Sequence, residues 1–177
     1  MGILKPRLAI FDCDGTLVDS QANICLAMEH AFEEAGRTPP PRQATRRIVG
    51  LSLVEAMQHL LPDEEDALHR DMAERYKQAF FTLRGNGLVD EPLYDGMAAL
   101  LSALDEEGWL LAVATGKSDR GLERCLDHHG IRGLFVSLQT ADRHPSKPHP
   151  AMLLAAIADA GAEPNDAVMI GDTTYDM

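Results

Sequence analysis

The chain has 177 residues, 45% hydrophobic and 25% charged, the composition of a soluble globular protein of about one domain with room for a modest insertion. The 16 Lys and Arg against 28 Asp and Glu leave a net charge of -12, and aromatics are only 5% of residues. That balance argues against a nucleic-acid partner, which needs cations for phosphates and rings for bases. No apolar run approaches the ~18 residues of a membrane span, so no membrane partner is expected. The start of the chain lacks a secretory leader's apolar segment and cleavage site, and Gly2 lacks the downstream Ser or Thr of a myristoylation site. Cys13, Cys25 and Cys125 are an odd count without a Cys-x-x-Cys pair, so a reducing cytoplasm is the expected location.

In chain order, Arg7–Phe11 is a short apolar run ending at Asp12-Cys13-Asp14-Gly15-Thr16, a buried strand followed by a polar loop. Ser20–Ala35 has helical spacing, with Ile24, Ala27, Met28, Ala31, Phe32 and Ala35 on one face. After the stiff Thr38–Pro41 connector, helices are expected over Arg42–Ile48 and Leu53–Leu60, the second opened by a capping box of Ser52 and Glu55. A long helix over Asp63–Leu83 turns Leu68, Met72, Tyr76, Ala79 and Phe80 inward and breaks at Arg84-Gly85-Asn86-Gly87. Its acidic start, Asp63–Asp66, suits a helix N-terminus. From Pro92 the texture changes to alternation: helix Gly96–Glu107, strand Trp109–Ala114, helix Asp119–His129, strand Leu134–Leu138, helix Pro150–Ala160 and strand Ala167–Ile170. Such alternation marks a parallel sheet covered on both faces. The expected organisation is one α/β domain made of residues 1–18 and 92–177, with an all-helical insertion over 19–91.

The polar clusters fall at the C-terminal ends of the predicted strands, the ligand-binding edge of an open parallel sheet. They are Asp12 and Asp14, Thr115 and Gly116, Lys147, and Asp172 with Asp176. Asp12, Asp14 and Asp172 gathered there stay ionised together only around a cation, and an oxygen-only ligand set points to Mg²⁺. The Thr115 hydroxyl and Gly116 amide suit phosphate oxygens near a helix start. Lys147 can neutralise the nucleophile and hold the incoming anion. Two carboxylates two residues apart can divide nucleophilic and acid/base work, because their surroundings can separate their pKa values. The parts fit phosphoryl transfer. Cys13 should turn away from its flanking aspartates into the core. Lys117 is either a substrate contact or a solvent-facing residue at a helix start.

Taken together, Phe11–Ser20 resembles motif I of the haloacid dehalogenase superfamily, Val113–Lys117 motif II, Ser146–Pro150 motif III and Ile170–Asp176 motif IV. The insertion after motif I is similar to the helical type-1 cap of phosphoglycolate-phosphatase-like members, and the resemblance covers nearly the whole chain. It implies a Rossmann-like core with a parallel sheet and an inserted helical cap. It also implies a Mg²⁺-dependent phosphatase acting on a small phosphorylated metabolite. Asp12 would attack phosphorus to form an aspartyl-phosphate; Asp14 would protonate the leaving oxygen and then activate water. The metal would sit on the Asp12 and Asp172 carboxylates and the Asp14 backbone carbonyl. Thr115, Gly116 and Lys147 would hold the phosphoryl group, and Asp176 would orient Lys147 or a metal-bound water. Asp14 argues against a dehalogenase, and a cap whose one lysine is Lys77 argues against a phosphonatase. Ile24, where sugar phosphomutases carry a histidine, favours hydrolysis. A type-1 phosphomutase and a non-catalytic phosphate-binding protein remain the alternatives.

Specificity is expected in the cap. Arg46, Arg47, Gly50, Leu51 and Ser52 form a basic, glycine-containing segment that suggests an anionic leaving group such as a carboxylate, against the alternative of a solvated helix face. Family members continue past motif IV with further helix and strand, whereas this chain stops five residues after Asp172. A C-terminally truncated core is therefore expected, with apolar sheet surface around Val168–Ile170 exposed and marginal stability unless a partner covers it.

Overall fold

The computed structural model describes residues 6–177; the readings made on residues 1–5, and that end of the core domain, lie outside the described residues. Four strands form one parallel sheet in the order β3-β2-β1-β4: β1 (Leu8–Phe11), β2 (Leu110–Thr115), β3 (Phe135–Thr140) and β4 (Ala167–Ile170). Every residue of β1 is buried, as a central parallel strand requires. The alternation of its side chains explains how. Ala9 and Phe11, with Leu111 and Val113 of β2, pack on helices α5 (Met97–Glu106) and α6 (Asp119–His128) through Leu101, Leu122 and Leu126. Leu8 and Ile10, with Ala112 and Ala114, face the opposite way, onto Met152 and Ala156 of α7 (Ala151–Ala160). On the edge strand β4, Val168 is exposed while Met169 and Ile170 are half-buried.

Strand register aligns the chemistry. Phe11 pairs with Val113 on one side and Ile170 on the other, so the residues that follow each emerge together at the same edge. Asp12 extends the alignment by one step, its amide donating to the Ile170 carbonyl at 2.9 Å.

The insertion is all-helical: α1 (Gln21–Glu34), α2 (Arg42–Arg47), α3 (Leu53–Leu60) and α4 (Asp66–Gly85). It has its own core, in which Ile24, Met28 and Ala31 of α1 meet Met72, Ala73 and Tyr76 of α4, with Met57 of α3 between them. Two strands of chain connect it to the sheet domain. They are tied to each other by the Asp19 amide on the Pro92 carbonyl at 2.8 Å and by a bridge between Val18 and Leu93.

Some local expectations need correction. The capping box at α3 is half present: the Ser52 hydroxyl accepts the Glu55 amide at 3.5 Å, and the helix cap carries no reciprocal bond. Helix α4 starts at Asp66 rather than Asp63, so most of the acidic run lies in the preceding turn, with Glu65 as the cap residue. The turn forms because the Glu64 amide bonds back to the Leu61 carbonyl at 3.2 Å, capturing residues that charge alone would place in the helix.

Candidate active site

Asp12 leaves β1 fully buried. Its Oδ1 accepts the next amide, that of Cys13, at 2.7 Å. Its Oδ2 has Lys147 Nζ 2.9 Å away but outside hydrogen-bonding geometry, so this buried oxygen lacks a hydrogen-bond partner. Burial pushes the Asp12 carboxyl up to about 6, against the pull of the neighbouring ammonium.

Lys147 is buried beneath the sheet edge. It donates to Asp176 Oδ1 at 2.6 Å and to the Ala114 carbonyl at 3.4 Å. Burial alone would lower its pKa; Asp12 and Asp176 outweigh that and hold it raised, so it is a fixed cation. Asp176 is itself anchored, its Oδ2 accepting the amide and hydroxyl of Thr173 at 3.0 and 2.8 Å. This Thr173–Asp176 reciprocal cap shapes the last helical turn and fixes the lysine's partner.

Carboxylate oxygens of Asp12, Asp172 and Asp176 lie within 4.8 Å of one another. Among the described residues this group is suited to a metal ion, because three converging carboxylates offer a hard cation an all-oxygen ligand set. Asp172 is the exposed member; Thr16 Oγ1 donates to it at 3.5 Å. Gly15, at φ +87°, passes so close that a Cβ there would lie 2.8 Å from Asp172 Oδ1. The donor set is hard oxygen throughout and fits Mg²⁺. The Asp14 carboxylate stands outside this group, which corrects the expectation that Asp12, Asp14 and Asp172 carboxylates share a cation.

Asp14 is held elsewhere. Its Oδ1 accepts Ser20 Oγ and Lys117 Nζ, both at 2.6 Å. Burial raises the carboxyl, but Lys117 and the two hydrogen bonds outweigh it and hold Asp14 below the usual carboxylate range. Lys117 also pairs with Glu91 Oε1 at 3.0 Å, and Arg84 of α4 with Glu91 Oε2 at 2.5 Å. The pKa values of Asp12 and Asp14 are thus separated, with the first aspartate raised and the second lowered.

Thr115 closes β2, fully buried, its hydroxyl accepting the Lys117 amide at 3.2 Å. Gly116 follows under the cap: a Cβ there would lie 2.6 Å from the Gly50 carbonyl oxygen. Gly50, at φ +98°, lies over the charged centre, where a Cβ would be 3.8 Å from both Asp12 Oδ2 and Lys147 Nζ. The adjacent Ser52 amide donates to Ser146 Oγ at 2.8 Å. The turn between α2 and α3 therefore sits directly on the sheet edge, and Gly50 and Ser52 are placed at the site as expected.

Arg46 and Arg47 are not. Both are exposed on α2 and neither lines the cavity between cap and core. The turn that brings Gly50 inward leaves the preceding helix face in solvent. Lys117 resolves in the other direction: it is almost fully buried, with a side chain only 11% exposed, and partners Asp14. Cys13 turns into the core, 4.0 Å from Cys125. Ser20, Glu91 and Thr173 escaped sequence reasoning. Its place as the last residue of motif II marks Lys117, but nothing local marks Glu91, which meets it through folding alone.

Comparison with known proteins agrees with this geometry. The profile of the family described as haloacid dehalogenase-like hydrolase matches residues 9–177. The chain is 36% identical to "Probable phosphatase IndB" of Dickeya dadantii, aligning over 98% of itself and 76% of that protein. It is 31% identical to tyrosine-protein kinase PtkA of Mycobacterium tuberculosis (98% and 58%) and 30% identical to phosphoglycolate phosphatase 1 of Pseudomonas aeruginosa (97% and 64%). It thus spans less than two thirds of the latter two. Among solved structures, a hydrolase from Pseudomonas syringae superposes with a TM-score of 0.84 at 26% identity, covering 96% of this chain and 77% of that one. No helix among the described residues is long and apolar enough to cross a membrane. With four motifs gathered at one sheet edge and a family profile matched from β1 to the last residue, the chain belongs to the haloacid dehalogenase-like hydrolase family.

Proposed function

We propose that this chain is a Mg²⁺-dependent phosphatase of the cytoplasm that hydrolyses a small phosphate monoester through an aspartyl-phosphate. The observation that carries the reading is Asp12 Oδ2: buried, without a hydrogen-bond partner, and flanked by Lys147 and by the Asp172 and Asp176 carboxylates. Such an oxygen is desolvated and oriented, the condition a carboxylate needs to act as a nucleophile.

Asp12 Oδ2 attacks phosphorus and the bond from phosphorus to the ester oxygen breaks; Asp14, a carboxylate in the free enzyme, takes up a proton as the anionic substrate binds beside it and passes that proton to the leaving oxygen. Water then attacks the phosphorus of the acyl phosphate while the Asp14 carboxylate takes its proton, restoring Asp12 and releasing phosphate. Lys147 holds the phosphoryl oxygens and is itself fixed by Asp176. Thr115 and Gly116 complete the cradle. The Asp12 and Asp172 carboxylates and the Asp14 carbonyl would hold Mg²⁺, with Asp176 beside them. When bound, the cation offsets the repulsion between nucleophile and phosphoryl oxygens.

Asp12→Asn is the test. Turnover of p-nitrophenyl phosphate with Mg²⁺ is expected to fall by roughly a thousandfold or more; turnover near wild type sinks the mechanism. A phosphomutase would show itself in a sugar-phosphate isomerisation assay, and a pure binding protein by releasing no phosphate from the wild type.

A further inference from the structure

The space between cap and core is divided by chemistry. On the Asp12 side it is charged. On the Asp14 side lies a cavity of about 270 Å³, which begins at Asp14, Gly50 and Gly116 and runs outward between the domains. Its walls are Ile24, Met28, Ile48, Tyr76, Phe80 and Phe81, all apolar or aromatic, and the first four are nearly or fully buried. The volume exceeds the roughly 150 Å³ that accommodates a benzene ring. At the mouth stand Arg120 and Arg124, one turn apart on α6. The other lining cations are committed, Arg84 to Glu91, Lys77 to Glu74 and Lys117 to Asp14 and Glu91. Among the described residues Arg120 and Arg124 form no salt bridge, although Glu123 and Asp127 flank them on the helix. Arg120 lies over the Phe81 ring at 5.8 Å.

We infer that the enzyme's substrate is a phosphate monoester whose leaving group has an apolar body, alkyl or aryl, and an anionic group at its far end. The inference rests on the phosphatase reading, because it takes Asp14 as the proton donor to the leaving oxygen. The group that leaves must lie on the Asp14 side, and that side is the apolar chamber. A two-carbon carboxylate such as the alcohol of phosphoglycolate would leave the apolar walls unfilled and would stop short of the arginines. An apolar body fills the chamber, and its terminal anion meets Arg120 and Arg124, the lining cations that form no salt bridge among the described residues. The anionic leaving group expected from Arg46 and Arg47 is thus assigned to a different pair, on the core rather than the cap.

The test is a homologous series of alkyl phosphates, whose leaving groups differ little in acidity, assayed with Mg²⁺ beside p-nitrophenyl phosphate and 2-phosphoglycolate. From ethyl to hexyl phosphate, kcat/KM is expected to rise about fourfold for each methylene taken up, and to rise again for 6-phosphonooxyhexanoate. The double variant Arg120→Gln, Arg124→Gln should lower kcat/KM for the carboxylated ester about tenfold while changing hexyl phosphate by less than about twofold. Phe81→Ala, at an exposed wall position, should narrow the hexyl-to-ethyl ratio without requiring the core to repack. A flat series, or a preference for 2-phosphoglycolate, with p-nitrophenyl phosphate still hydrolysed, overturns this inference and leaves the phosphatase reading standing. Inert p-nitrophenyl phosphate and inert alkyl esters overturn both.

Discussion

Asp14 shows how much one charged neighbour decides. In its buried position desolvation by itself would favour the acid form, yet Lys117 at 2.6 Å and Ser20 at the same distance keep it a carboxylate. Lys117 is in this sense a positioning residue: it reaches the reaction through Asp14, and it is steadied by Glu91. Replacing it with methionine removes the cation that stabilises the Asp14 carboxylate, so the pKa of Asp14 rises and its acid form persists to higher pH. Lys117→Met is therefore expected to move the alkaline limb of the kcat/KM profile upward in pH and to lower kcat about tenfold, with Lys117→Arg recovering part of both. A merely structural lysine would leave the shape of the profile unchanged. This pairing was not legible in the sequence. Asp14 and Lys117 are 103 residues apart, and a lysine at a strand-to-helix junction is locally as well suited to solvent as to an ion pair. The aspartates were legible, because a run of four buried apolar residues followed by Asp-x-Asp can end only at a sheet edge.

At the scale of elements, strands and helices are readable where burial is one-sided or complete. The alternation within β1 and β2 follows from having helices on both faces, and the apolar stripe of α1 from its packing on α4. What local pattern did not reveal was the geometry of the short α2–α3 turn. It is this turn, through Gly50, that presses the cap onto Gly116 and points Arg46 and Arg47 outward. Gly116 is thus a contact point between two domains as well as a candidate phosphate ligand. A methyl group there meets the Gly50 and Leu51 carbonyls, which are backbone and cannot swing aside. Gly116→Ala is expected to retain the fold, since both domain cores lie elsewhere, and to lower kcat/KM about a hundredfold by holding the cap off the sheet edge. Unchanged kinetics in a folded Gly116→Ala protein would mean that the closed contact is dispensable.

For the whole molecule, the cap joins the core through the two connections at Asp19 and Pro92, through Ser52 on Ser146 and through the Arg84–Glu91–Lys117 chain. With the cap seated on the sheet edge, Asp12 and Asp14 are both buried, and the charged side of the space between cap and core is separate from its apolar side. The net charge of -12 does not oppose an anionic substrate, because the local field is set by Lys147, by Lys117 and by the cation the three carboxylates would hold. The acidic composition, which argues against nucleic acid, is in part the price of this site: three of its carboxylates converge within 4.8 Å. Everything then turns on whether phosphorus is bonded to Asp12 during turnover. Rapid acid quench of the enzyme with Mg²⁺ and a phosphate ester radiolabelled at phosphorus measures this directly. Label that precipitates with the wild-type protein, is released by hydroxylamine as an acyl phosphate, maps to the peptide containing Asp12 and is missing from Asp12→Asn is the predicted result. Rapid phosphate release with no protein-bound label at any quench time, or label on the Asp12→Asn protein at wild-type level, would contradict it.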